Sequence, residues 1–103
     1  MLTTYTVPVK EVFQDTPDVK TIRFSLEGTG FMFTAGQFIM INFDSLEGGM
    51  QKKVRRAYSI SSSPDHRDYV DITVKKESQG VASAYLHHLN RGDMVTIDGP
   101  YGH

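Results

Sequence analysis

The chain of 103 residues matches the size of one compact domain, about 100–150 residues, and leaves no room for a second. Its hydrophobic content of 39% and charged content of 22% are ordinary for a globular protein, and a net charge of −1 gives no overall pull toward nucleic acid or an anionic membrane. With no cysteine, disulfides, thiolate metal centres and cysteine nucleophiles are excluded. No apolar stretch approaches the roughly 20 residues that span a bilayer. Met1-Leu2-Thr3-Thr4-Tyr5 lacks the basic region and apolar run of a secretory leader, so a cytoplasmic protein without a membrane span is expected.

The first half reads as strands. Tyr5, Val7 and Val9 alternate with polar neighbours, and Pro8, which has no N–H to donate, predicts an edge or bulged strand there. Thr16-Pro17-Asp18 reads as a turn. Ile22, Phe24 and Leu26 then alternate with Thr21, Arg23 and Ser25 as a half-buried strand, which Glu27-Gly28-Thr29-Gly30 ends. The run from Gln37 to Phe43 is short, nearly all apolar and rich in β-formers, which predicts a strand buried on both faces. Leu46 to Met50 reads as an exposed loop and Val54 to Ser62 as a strand stopped by Pro64. Val70, Ile72 and Val74 alternate with Asp71, Thr73 and Lys75, the clearest amphipathic strand in the chain. One helix follows, with Ala82, Tyr85, Leu86 and Leu89 on a single apolar stripe, Ser78 as its expected cap, His87 and His88 in its last turn, and Asn90 or Gly92 at its end. A last strand runs from Met94 to Asp98. Six short strands and one helix without βαβ alternation predict an all-β antiparallel barrel or sandwich, with the helix covering one open end.

Two segments carry chemistry. In Arg56-Ala57-Tyr58-Ser59, Arg56 and Tyr58 lie two apart on a strand and leave the same face. A guanidinium grips a pyrophosphate bidentately, and an aromatic ring beside it can lie against a flat heterocycle. Ser59 points the other way under strict alternation, so it serves the same ligand only if the strand bends or a ring crosses the strand. Its hydroxyl can donate or accept, which suits a flavin N5 that changes from acceptor to hydrogen-bearing on reduction. Gly80-Val81-Ala82-Ser83 opens the helix, where free N–H groups and the positive end of the dipole favour phosphate. Taken singly, each segment is an ordinary strand or helix start; together they supply the groups that hold a flavin nucleotide.

Other groups read as structural. Lys52, Lys53, Arg55 and Arg56 form a basic cluster without a broad basic face, which does not point to nucleic acid. His66, His87, His88 and His103 show no zinc spacing and read as mostly solvated, so no metal is expected. The carboxylates are scattered without an acid/base pair, and Met32, Met40, Met50 and Met94 read as core or loop packing.

The whole chain resembles the flavin-binding domain of the ferredoxin–NADP reductase superfamily. The resemblance rests on Arg56-Ala57-Tyr58-Ser59 for Arg-x-Tyr-Ser and on Gly80 to Ser83 for Gly-x-x-Ser. It also rests on Gly36-Gln37-Phe38, Val74-Lys75, Gly92-Asp93 and Gly99-Pro100-Tyr101-Gly102, all in the family's order. It implies a six-stranded antiparallel Greek-key barrel with one capping α-helix over residues 1–103. It implies FAD as cofactor, with Arg56 on the pyrophosphate, Tyr58 on the isoalloxazine or ribityl chain and Ser59 near N5. Thr73, Val74 and Lys75 would border the flavin partly through backbone, and Val81, Ala82 and Ser83 would hold the pyrophosphate. The segment Lys76-Glu77-Ser78-Gln79 is short and has no aromatic residue for an adenine, which leaves FMN open. No Gly-x-Gly-x-x-Gly occurs, so NAD(P)H would bind on another domain, in cis or in trans, with an iron–sulfur, haem or small-molecule acceptor. The isolated chain would then be inactive with NAD(P)H. The alternative is a β-barrel interaction module that has lost the cofactor.

Overall fold

A computed structural model describes residues 3–102, together with all their side chains but that of Glu47; the readings placed on Met1, Leu2 and His103 lie outside the described residues. Six strands and one helix follow in the order β1 (Thr4–Thr16), β2 (Val19–Ser25), β3 (Phe38–Glu47), β4 (Met50–Ser59), β5 (Tyr69–Lys75), α1 (Val81–His87) and β6 (Met94–Tyr101). All pairings are antiparallel, in one sheet of order β4-β3-β6-β1-β2-β5. The sheet curls until its terminal strands meet at a single bridge, Ile60↔Ile72. The inner face fills with Val7, Val9, Ile22, Phe24, Ile39, Ile41, Val70, Ile72, Val74, Val95 and Ile97, and Leu86 and Leu89 join them from the helix side. Alternation drives this arrangement: each strand gives one side to the core and the other to water.

The helix has seven residues, too few to stand alone in water, and is held by packing. Leu86 is fully buried, Ala82 and Leu89 nearly so, and the Tyr85 ring stacks on Phe43 of β3 at 4.1 Å between centroids. His87 Nε2 bonds the Val74 carbonyl at 2.9 Å, and Lys20 Nζ donates to the His87 carbonyl at 2.7 Å. His87 is therefore a half-buried structural residue rather than a solvated one.

Several expectations change. Pro8 lies not at a sheet edge but where β1 changes partner. Residues 4–8 pair with β6 and residues 9–16 with β2, and the register shifts between Val9 and Glu11, so the strand is bulged close to Pro8, as the other half of the expectation has it, and the missing N–H falls where the ladder changes. β3 is buried on one face only: Ile39 and Ile41 are inaccessible, while Phe38, Met40 and Asn42 on the other face are partly exposed. The predicted loop at 46–50 is a hairpin, in which β3 and β4 pair as far as Glu47↔Met50 around Gly48-Gly49. The strand expected over 54–62 starts earlier and ends at Ser59. Ser78 does not cap the helix: Gly80 occupies the N-cap without a side-chain bond, and the helix ends at His87, with His88 as its C-cap, ahead of Asn90 and Gly92.

Candidate functional site

The edges of β4 and β5 face each other at the seam of the sheet, and they separate on one side of the Ile60↔Ile72 bridge. Continuing that antiparallel register two residues at a time puts Tyr58 level with Val74, and Arg56 level with Lys76. The first segment of interest thus runs alongside the chain that leads into the second. The electrostatics agree. Burial lifts the Tyr58 hydroxyl above its ordinary pKa; the Arg56 charge pulls it down, and the Glu77 charge pushes it up.

Side-chain direction is fixed by the β3–β4 ladder. Tyr58 stands opposite Ile39 and Arg56 opposite Ile41, so both project from the inner face. Tyr58 packs against the core cluster, whereas Arg56 remains exposed. Its Nη1 donates to the Arg55 carbonyl, and among the described residues it forms no ion pair. Ser59 stands opposite Phe38 on the outer face, and alternation continues through Ile60, so the strand does not bend its side chain inward.

Main-chain direction adds what side chains do not. The N–H groups of successive strand residues alternate in direction. Ile60 donates to Gln37 beside β3, and Ser61 donates to Asp71 on β5. By the same alternation the main-chain groups of Ala57 and Ser59 turn toward the seam. On the opposite edge Lys76 donates away from it, to Asp18, so Thr73 and Lys75 turn toward it. The Val74 side chain is in the core and its carbonyl is held by His87. Ala57 and Lys75 therefore present backbone to the gap, while Ser59 and Thr73 flank the Ile60↔Ile72 bridge that closes it.

The turn from Glu77 to Ser83 closes on itself. Ser83 Oγ accepts from the Glu77 N–H at 3.0 Å and donates to the Gly80 carbonyl at 3.2 Å, and it is 4% exposed. A Cβ at Gly80 would sit 2.7 Å from Ser83 Oγ and 2.8 Å from Glu77 Cβ. Glycine is required there by this turn. The first helical bond runs from the Ala84 N–H to the Gly80 carbonyl. The N–H groups of Val81, Ala82 and Ser83 have no acceptor among the described residues, as a first helical turn dictates. A groove of about 550 Å³ flanks the turn on the side of Gln14, Pro17 and Lys20, passing Lys76, Glu77 and Val81; neither Arg56 nor Tyr58 lines it.

Two buried carboxylates escaped the sequence reading, which saw only scattered acids. Asp71 takes a bidentate bond from Arg23 at 2.9 and 3.0 Å, and the Arg23 guanidinium lies 3.7 Å from the Tyr69 ring centre. Asp98 takes Arg55 Nη2 at 2.6 Å, Asn42 Nδ2 at 2.6 Å and the Tyr101 hydroxyl. Burial works to raise the Asp98 pKa, but bonds from Arg55, Tyr101 and Asn42 outweigh it and leave the carboxyl below its ordinary value. A depressed carboxyl stabilises the fold fully above the unfolded-state value of about 3.9 and loses that contribution as pH falls through its folded value. Between about pH 6 and about pH 2, Asp98→Asn is expected to lose less stability than the wild type, read from urea midpoints. Equal losses would mean that Asp98 carries no pH-linked stability.

Comparison with known proteins places these features in context. A family model described as the oxidoreductase FAD-binding domain matches residues 6–103. The phenol hydroxylase P5 protein of Acinetobacter pittii is 36% identical over 99 residues, covering 95% of this chain and 26% of that protein. Ferredoxin–NADP reductase B of Sorangium cellulosum is 38% identical over 87 residues, covering 84% of this chain and 34% of that protein. This chain thus spans about a quarter to a third of the length of these relatives. Among solved structures, a ferredoxin NADP+ reductase from Neisseria gonorrhoeae with bound FAD and NADP superposes with a TM-score of 0.80 at 25% identity, covering 97% of this chain and 39% of that one. The cytochrome b5 reductase domain of Ulva prolifera nitrate reductase gives 0.84 at 26% identity, covering 98% of this chain and 42% of that one.

Proposed function

This chain belongs to the oxidoreductase FAD-binding domain family, and from that premise we propose that it holds FAD along the seam between β4 and β5 as one part of an NAD(P)H-linked reductase. The observation that supports this most is a convergence: an inward-facing Arg56, without an ion-pair partner among the described residues, lies level with the turn whose N–H groups, at Val81, Ala82 and Ser83, have no acceptor among them. A cation and a helix start together fit a diphosphate. Two facing strand edges fit the rim of a flat ring, which can hydrogen-bond to main-chain groups on either side.

In this reading Arg56 and the amides of Val81 and Ala82 bind the diphosphate, and Tyr58 lies against the ring or the ribityl chain. Ser83 contributes its N–H, because its hydroxyl is spent on Glu77 and Gly80. Ala57, Ser59, Thr73 and Lys75 orient the ring through backbone, with Ser59 the residue nearest N5. A flavin held there would supply the redox chemistry that links NAD(P)H on a further domain to an iron–sulfur, haem or small-molecule acceptor. The chain's own part is to bind the cofactor, orient it and limit water access to one ring face.

The test is a titration of the purified chain with FAD, FMN and riboflavin, followed by flavin fluorescence. FAD is expected to be quenched to saturation and to bind at least about tenfold more tightly than riboflavin, the worth of one charge-assisted contact. Equal affinity for FMN and FAD would assign the one-phosphate cofactor. No quenching at any FAD concentration would overturn the reading in favour of a cofactor-free interaction module.

A further inference from the structure

Arg55 and Arg56 are neighbours with opposite fates. β4 is a terminal strand held by one ladder, to β3, and bridged to β5 only beyond its last residue. That ladder sets which face each side chain leaves, and side-chain ties then brace the strand's free edge. On the outer face there is such a tie. Arg55 Nη2 donates to Asp98 Oδ2 at 2.6 Å and to the Tyr101 hydroxyl at 2.8 Å. Asn42 Nδ2 donates to Asp98 Oδ1 at 2.6 Å, and the Tyr101 hydroxyl donates to the same carboxylate. In the ladders Arg55 stands opposite Asn42, and Asp98 opposite Met40, so the cluster joins β4, β3 and β6 in a row. Asp98 is 5% exposed, and a buried carboxylate with three donors is a fixed point.

Adjacent strand residues project to opposite faces, so fixing one sets the direction of the next. We propose that Arg55, Asn42, Asp98 and Tyr101 form a positioning cluster for Arg56, which aims its guanidinium into the seam and thereby sets the preference for a flavin bearing a diphosphate. The cluster also sorts the two arginines: the carboxylate claims Arg55 and leaves Arg56 for a ligand anion. None of its members touches the seam. They act on the flavin site through the backbone of β4, where the Arg55 carbonyl accepts from Arg56 Nη1 at 3.1 Å. The proposal rests on the FAD reading above, and it adds a dependence of diphosphate recognition on a network on the far face of the sheet.

The test compares FAD and riboflavin affinities for wild type, Asp98→Asn, Arg55→Ala and the double variant. Val95→Ala, a core truncation in the same strand as Asp98, controls for lost stability. Each single variant is expected to weaken FAD on the order of tenfold, with riboflavin unchanged within about twofold. The double variant should be no worse than either single one, because both break the same network. Val95→Ala should leave the FAD-to-riboflavin ratio unchanged. Arg55 is half exposed, so Arg55→Ala keeps the test available should Asp98→Asn not fold. Parallel weakening of FAD and riboflavin, multiplicative losses in the double variant, or an equal ratio change in Val95→Ala would overturn the proposal. A wild type without preference for FAD over riboflavin would instead overturn the reading beneath it.

Discussion

Arg56→Ala is expected to weaken FAD by roughly 10- to 100-fold while leaving riboflavin almost unchanged. A charge-assisted hydrogen bond contributes about 1.5–3 kcal/mol, and each 1.4 kcal/mol is a factor of ten in affinity. The side chain is exposed and makes one bond, to the neighbouring carbonyl, so its loss opens no cavity and the fold should persist. Arg55→Ala strips one donor from a buried carboxylate and should lower the melting point further, while its half-exposed side chain leaves no cavity and the fold intact. Titration of both flavins against both alanine variants, with melting points recorded, separates the cases. Equal loss of FAD and riboflavin in Arg56→Ala would mean that this guanidinium does not grip the diphosphate.

Leu86→Ala is expected to destabilise the protein by about 2–5 kcal/mol, the range for truncating a buried leucine. At about 4–8 °C per kcal/mol for a domain of this size, the melting point should fall by roughly 10–40 °C. The reason is local as well as global. The seven-residue helix depends on packing, and Leu86 is its one fully buried side chain. Without it the helix start that presents Val81, Ala82 and Ser83 loses its support, so FAD affinity should fall even at low temperature. A melting point within a few degrees of wild type would show that the helix is docked by other contacts, with the Tyr85–Phe43 stack the first to examine.

Much of this was legible in the chain. Period-two alternation at Ile22–Phe24 and Val70–Ile72–Val74 marked core strands, and the stripe Ala82–Tyr85–Leu86–Leu89 marked the helix face. Those signals are local, and burial followed them. The same alternation put Arg56 and Tyr58 on one face and Ser59 on the other, as the ladder has it. What sequence did not disclose depends on who sits beside whom. Arg55 meets Asp98 and Arg23 meets Asp71 across 43 and 48 positions, pairings that exist only once β6 lies next to β3 and β5 next to β2. The apolar run from Gln37 to Phe43 reads as doubly buried because composition does not reveal that one face of β3 stays partly open. Ser78 was a plausible cap by residue type, but the Ser83 hydroxyl closes the turn from inside.

The change of partner at Pro8 has a consequence for how the molecule comes into being. Thr4 to Pro8 pair only with β6, Thr4 meeting Asp98, while the rest of β1 pairs with its immediate successor. During synthesis these residues must wait, unpartnered, until β6 has left the ribosome. Joining β1 to β6 fuses both halves of the sheet through one continuous strand, so neither half has a complete hydrogen-bonded border by itself, and this late long-range closure is the slow kind of step.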